Sequence, residues 1–385
     1  MKDATRLTRI GRPAHETGLV NPAIERGSTV LAPSAGELYD APPGRPHYGR
    51  VGLAAQQALR EAIQDLQGGS FCALTSSGLQ ANILSILTVV EAGGTVLAAD
   101  NIYGPVRSFL RNIAPRYGIQ TRFVAPDITD EIGDHLDGDV QAILLESPGS
   151  LTMELQDLEA IARIAQDKGV TTIIDDTWSA GLTLKPLEIG IDLAAQALTK
   201  YVAGHSDVML GAVVARTEAV GQRLQTTERG MGFYAAPDDA YLAVRGLRTL
   251  ELRMQRSATS SLDIADWLSA RAEVGAIRHP ARSDHPQHHL FRRDFTGSAG
   301  LFSFELPGWS VADSEIFLDA MEIFGIGYSW GGFESLAIHC DPQIRRSATE
   351  ARHDGALIRL AIGMEAPEDL IMDLEKGFAA VAAHS

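Results

Sequence analysis

The residues with the most chemical potential in this 385-residue chain are Lys200, the threonine before it, and the upstream aspartate pair Asp175-Asp176. Thr171-Thr172-Ile173-Ile174 leads into the aspartates. An apolar run ending in carboxylates reads as a buried strand that delivers acids to the carboxyl edge of a parallel sheet. Lys200 lies in Gln196-Ala197-Leu198-Thr199-Lys200-Tyr201, with turn-like Gly204-His205-Ser206-Asp207 beyond. A lysine buried at a strand end has a lowered pKa, which suits an amine that must attack an aldehyde and carry a proton. These residue types fit a Schiff-base centre built on pyridoxal phosphate. The amine makes the covalent link, the Thr199 hydroxyl holds the phosphate, and a carboxylate pairs with the pyridine nitrogen. The strand's period does not say whether Asp175 or Asp176 faces the ligand, and either could instead cap the next helix.

Three further segments could serve such a centre. Thr75-Ser76-Ser77-Gly78-Leu79-Gln80 opens an apolar helix, and its first backbone N–H groups would present a positive dipole end to an anion. An ordinary N-cap looks the same, so this cradle gains weight only beside a second phosphate ligand such as Thr199. Tyr103, in Asp100-Asn101-Ile102-Tyr103-Gly104-Pro105 after another strand, falls on the same carboxyl edge and could stack on a flat ring or simply pack. Arg359 interrupts the apolar strand Leu357-Ile358-Arg359-Leu360-Ala361-Ile362. A buried guanidinium there needs a partner, either a substrate carboxylate or a structural salt bridge. His205 reads as structural.

The elements that must position these residues follow from length and pattern. A chain this long exceeds one ordinary core, so two domains plus an arm are expected. Residues 1–50 hold Pro13, Pro22, Pro33, Pro42, Pro43 and Pro46 and read as an extended arm. Residues 51–246 alternate helix and strand, with near-continuous apolar strands at 94–100, 140–145 and 170–175. That pattern implies a mostly parallel sheet covered by helices on both faces. One long helix is expected from Arg245 to about Leu268. Residues 247–385 then form a smaller α/β domain with a mostly antiparallel sheet.

Composition bounds the function. Apolar residues at 45% are ordinary for a globular protein, and a net charge of −16 argues against nucleic-acid and anionic-membrane surfaces. Cys72 and Cys340 are too few for a disulfide framework and wrongly spaced for zinc, so two buried thiols in a reducing compartment are expected. With no secretory pattern at the start and no apolar run of about 18 residues, the expected location is cytoplasmic.

As a set, Tyr48-Gly49-Arg50, Ser77-Gly78-Leu79, Tyr103-Gly104, Asp175-Asp176-Thr177-Trp178, Thr199-Lys200-Tyr201 and Ile358-Arg359-Leu360 closely resemble the Cys/Met-metabolism family of pyridoxal-phosphate enzymes, of fold type I. The resemblance runs from about Tyr48 to the C-terminus. It implies that Lys200 is the Schiff-base lysine, that Asp175 pairs with the ring nitrogen and that Tyr103 stacks on the ring and takes part in catalysis. It puts Ser77, Gly78, Leu79 and Thr199 at the phosphate and Thr177 in the cofactor shell. Tyr48 and Arg50 would reach the cofactor from a partner subunit, Tyr48 also meeting substrate, in a tetramer built from two active dimers. Arg359 would hold the substrate carboxylate, helped by Ser329 and Trp330.

Two positions depart from the family pattern. Asp176 replaces a usual asparagine, adding an acid near the cofactor, and Ala197 replaces a serine that binds phosphate in many members. Gly327-Tyr328-Ser329-Trp330-Gly331-Gly332 is similar to the bacterial cystathionine β-lyases, whereas γ-acting members place glutamate at Tyr328 and leucine at Trp330. The implied reaction is α,β-elimination of L-cystathionine to homocysteine, pyruvate and ammonia in methionine biosynthesis, with related cysteine S-conjugates as further substrates. A γ-synthase or γ-lyase is the alternative.

Overall fold

The computed structural model describes residues 2–12, 18–40, 42 and 44–384. Its larger sheet has seven strands: β1 (Phe71–Thr75), β2 (Thr95–Ala99), β3 (Gln120–Val124), β4 (Val140–Glu146), β5 (Thr171–Asp175), β6 (Leu193–Ala197) and β7 (Gly211–Ala215). They lie in the order β1-β7-β6-β5-β4-β2-β3, all parallel except β7, which runs antiparallel to both neighbours. Strands such as β2 and β7 are buried along their whole length, which explains their unbroken apolar sequence. The register pairs Glu146 with Asp175, so β4 and β5 end in adjacent carboxylates.

A smaller sheet joins β8 (Ile277–Arg278), β9 (Leu301–Leu306), β10 (Gly325–Ile326), β11 (Leu336–His339) and β12 (Ala356–Ala361) in the order β10-β11-β12-β9-β8. It is antiparallel apart from the β10–β11 pair. Phe302, Phe304, Phe317 and Leu374 centre its own core. The helix Leu250–Ser269 links the two cores: Leu250 and Met254 pack with the larger, Ile264, Ala265 and Leu268 with the smaller. Cys72 and Cys340 are buried free thiols whose pKa burial pushes up to about 12. Among the described residues no helix is long and apolar enough to cross a membrane.

Two expectations need correction. The single helix over 245–268 is two, Pro237–Leu247 and Leu250–Ser269. The chain breaks where Arg253 inserts its guanidinium against the carbonyls of Tyr201, Val202 and Gly246, a clamp that also fixes the backbone just after Lys200. The arm is not extended throughout, because Asp3–Arg9 is a helix. Leu7 and Ile10 bury in the larger core and Arg248 donates to both their carbonyls. Residues 22–27 do lack regular structure; Pro13 and Pro43 lie outside the described residues.

The loop between β11 and β12 is tied to the larger sheet by Asp100, which follows β2. Its carboxylate accepts from the successive N–H groups of Ser347, Ala348 and Thr349 and from Arg107, while Arg346 pairs with Glu154. Burial opposes a charge on Asp100, but these donors outweigh it and hold its pKa below the usual carboxylate value. Replacing Asp100 with alanine should free this loop. Tryptic cleavage after Arg345 and Arg346 is expected to accelerate about tenfold or more, as measured by mass spectrometry of the nicked chain.

Candidate active site

The carboxyl ends of β4, β5 and β6 open into a cleft of about 580 Å3, roofed by the segment before β11 and by β12. Its lining includes Ser77, Gly78, Leu79, Tyr103, Asp175, Thr177, Thr199, Lys200, Ser329, Trp330 and Arg359, so eleven expected site residues converge here.

Asp175 and Asp176 diverge because side chains alternate at a strand end. Asp175 faces the cleft. Its Oδ2 accepts from Asn82 Nδ2 at 2.8 Å, and its Oδ1 accepts from both the N–H and the hydroxyl of Thr177. Loss of solvent nevertheless raises its pKa, outweighing these donors and the charge of Lys200. Asp176 turns the opposite way, accepting from Ser179, Gln67 and Gln196, and burial lifts its pKa to about 6. The extra acid is therefore not in the cleft lining, which corrects its expected place near the cofactor.

Lys200 Nζ donates to Ser329 Oγ at 2.8 Å and stands 5.4 Å from the Trp330 ring centre. Burial, and then the positive charge of Arg359, lower its pKa to about 8, against the opposing pull of Asp175. The Trp330 ring meets Tyr201 edge-on at 5.6 Å, and the Tyr201 hydroxyl accepts from the Gly300 N–H. Arg359 is 4% exposed and has no carboxylate within salt-bridge distance among the described residues. Its two terminal nitrogens donate to the carbonyls of Ser150 (3.2 Å) and Tyr328 (2.8 Å), which hold the fork without neutralising it. Among the described residues, then, the alternative of a structural salt bridge is not formed, and the guanidinium keeps its charge.

The Ser77 hydroxyl caps the helix Gly78–Val89 by accepting from the Gln80 N–H, leaving the N–H groups of Gly78 and Leu79 without partners among the described residues. A Cβ at Gly78 would lie 2.4 Å from that of Ala197, so glycine is required here. Thr199 lines the cleft, but its hydroxyl donates to the Leu210 carbonyl and accepts from the Leu210 N–H. Only a lone pair remains, so donation to a phosphate would require leaving Leu210. Tyr48 and Arg50 do not join this cleft within the chain: Tyr48 bridges Thr29, and Arg50 donates to the Arg229 carbonyl. His205 bonds the Ala203 carbonyl, a local structural contact.

The sequence reading passed over two residues. Asn82 is a buried amide in a mostly apolar helix, a legible signal once its side-chain partner, Asp175, is known. Glu146 ends β4 with its side chain in the cleft lining. Burial, reinforced by the charge of Asp175, pushes its pKa up.

Comparison with known proteins defines the class. The sequence matches the profile of the Cys/Met metabolism PLP-dependent enzymes over residues 4–379. A cystathionine beta-lyase of Escherichia coli K12 is 38% identical over 98% of this chain and 98% of its own. One of Bordetella avium is 39% identical over 92% of this chain and 91% of its own. The crystal structure of a cystathionine gamma synthase from Xanthomonas oryzae pv. oryzae, in complex with cystathionine, aligns at a TM-score of 0.93 and 31% identity, covering 100% of both chains. The fold is that of a fold-type I pyridoxal-phosphate enzyme. The chain belongs to the Cys/Met metabolism PLP-dependent enzymes, and its cofactor is pyridoxal phosphate.

The cleft fits that group. It offers an amine of lowered pKa, a half-buried carboxylate of raised pKa, and N–H groups unpartnered among the described residues beside a glycine where any side chain would clash. Because the neutral amine is the nucleophile, uptake of pyridoxal phosphate by apo-protein should rise with pH and be half-maximal at about pH 8. Arg359→Met should move that midpoint upward by removing a charge that disfavours the ammonium. Stopped-flow absorbance across pH checks both.

Proposed function

We propose that this enzyme catalyses α,β-elimination of L-cystathionine, releasing homocysteine, pyruvate and ammonia, and that related β-thio amino acids enter the same cleft. The observation that carries the reading is the Tyr328-Ser329-Trp330 segment at the cleft, with Ser329 bonded to the Lys200 amine and Tyr328 supplying a carbonyl to Arg359. No carboxylate stands at 328 to serve γ-chemistry.

When bound, pyridoxal phosphate supplies the electron sink that stabilises negative charge at the substrate Cα. Asp175 would pair with the ring nitrogen and balance its positive charge. Gly78 and Leu79 offer their N–H groups to the phosphate, with Ser77 shaping that turn and Thr177 holding Asp175 in place; Thr199 joins the phosphate on exchanging its Leu210 contact. Arg359 takes the substrate carboxylate bidentately, and Ser329 and Trp330 close the wall beside it. Lys200 removes the Cα proton and holds it at Nζ, and Lys200 or Tyr103 then protonates the departing thiolate. Water converts the remaining three-carbon fragment to pyruvate and ammonia. Orientation selects this route, since Arg359 would hold the substrate with its Cα–H bond toward Lys200.

Tyr48 and Arg50 stand apart from their own chain's Lys200, which supports their donation to a partner's cleft. The assembly we infer is a homotetramer of two active dimers, working in the cytoplasm in methionine biosynthesis. The γ-acting reading is kept as second because a γ-synthase shares 31% identity with the whole chain.

Product analysis separates the two readings. Pyruvate with homocysteine is expected from L-cystathionine, whereas 2-oxobutyrate with cysteine would overturn β-elimination. Lys200→Ala should lose about a thousandfold or more in turnover, and borohydride should fix the cofactor on the Lys200 peptide of the parent protein only. Arg50→Ala mixed with Lys200→Ala, after proven subunit exchange, should recover activity that neither variant has alone. No recovery would count against a shared site.

A further inference from the structure

We propose that Glu146 is a positioning residue that sets two walls of the cleft at once, the Tyr103 wall and the Arg359 fork. The role rests on the reading of those two residues given above, and adds a group that determines how well the site holds an α-carboxylate.

The geometry is direct. Glu146 ends β4 beside Asp175 in the β4–β5 register and is buried. Both carboxylate oxygens are used, and each serves a different wall. Oε2 accepts from the Tyr103 N–H, at the start of the helix Gly104–Asn112, and so fixes the backbone from which the Tyr103 ring projects. Oε1 accepts from the Ser150 N–H at 2.9 Å. The Ser150 carbonyl in turn accepts from Arg359 Nη1 at 3.2 Å, so the fork is braced through Ser150 by the same side chain. Glu146 is itself held at its backbone, where its N–H donates to Gln156 and its carbonyl accepts from Asn101. A group with one acceptor oxygen, fixed on one side, would leave one of the two N–H donors without its partner.

Glutamine is therefore the informative substitution. It keeps the shape of the side chain but replaces one acceptor by an amide NH2 that cannot accept. The test uses holoenzyme and two ligands that carry no leaving group: L-alanine, which has amine and carboxylate, and ethylamine, which has the amine alone. Binding of each is read from the change in cofactor absorbance, and the Tyr103 wall from the visible circular dichroism of the bound cofactor. For Glu146→Gln the expected result is about tenfold weaker L-alanine binding, ethylamine binding held within about twofold, and an altered dichroic band.

Equal weakening of both ligands, or unchanged L-alanine binding with an unchanged band, overturns the proposal. Glu146→Asp retains both acceptors on a shorter stem and should give an intermediate loss with the same ligand selectivity; it decides the question should the glutamine variant fail to fold. Arg359→Ala in the same assay separates the two readings. If it loses the preference for L-alanine while Glu146→Gln retains it, the role of Glu146 alone fails. If Arg359→Ala retains that preference, the fork reading fails and this role fails with it.

Discussion

Asp175 sits half-buried at the end of β5, where loss of solvent favours the neutral acid while the donors around it and the charge of Lys200 oppose that preference. Much of the surrounding structure serves those donors. The helix Gly78–Val89 gives up an interior position to Asn82, whose amide reaches Asp175 and also bonds the Gly78 carbonyl. The Thr177 hydroxyl donates to Asp175 and accepts from the Ala197 N–H, so the carboxylate, β6 and the approach to Lys200 share one hydrogen-bonded unit. Close packing of that helix on the end of β6 explains both the glycine at 78 and the alanine at 197. Ala197, where many members of the family carry serine, is thus an N–H donor to Thr177 and a small neighbour for Gly78.

The same physical tension shapes the opposite wall. Arg359 is buried with no ion partner among the described residues, a state disfavoured by desolvation unless a carboxylate arrives. Two main-chain carbonyls hold its nitrogens in place while leaving its charge available. That charge also reaches Lys200, where it adds to burial in keeping the amine poised near neutrality. Binding of a carboxylate at the fork would therefore favour the ammonium form of Lys200, which links substrate arrival to the proton-carrying state of the lysine.

The alternation of apolar strands with helices, the acid at the end of β5 and the lysine after β6 were all legible in the chain, because each depends on local pattern and on the carboxyl edge of a parallel sheet. Asp175 and Asp176 were not separable there, since adjacent residues at a strand end leave it on opposite sides and only the neighbours reveal which side is the cleft. Glu146 escaped notice because an acid ending an apolar strand resembles a solvated strand terminus until the register sets it beside Asp175. The break at Arg248-Thr249 was equally hidden, since the clamp that Arg253 makes on the Tyr201 and Val202 carbonyls links positions far apart in sequence.

By itself, the sequence determined the fold class, the Schiff-base lysine candidate and the set of residue types around it, because periodicity and motif spacing are properties of neighbouring residues. Only the tertiary structure decided how charge is distributed among them. It turned Asp176 away from the cleft, held Arg359 by main-chain carbonyls, engaged the Thr199 hydroxyl with Leu210, and kept Tyr48 and Arg50 out of their own chain's site. Burial and hydrogen-bond partners arise from elements distant in the chain, and they set whether a given acid, amine or guanidinium is charged, neutral or already spent.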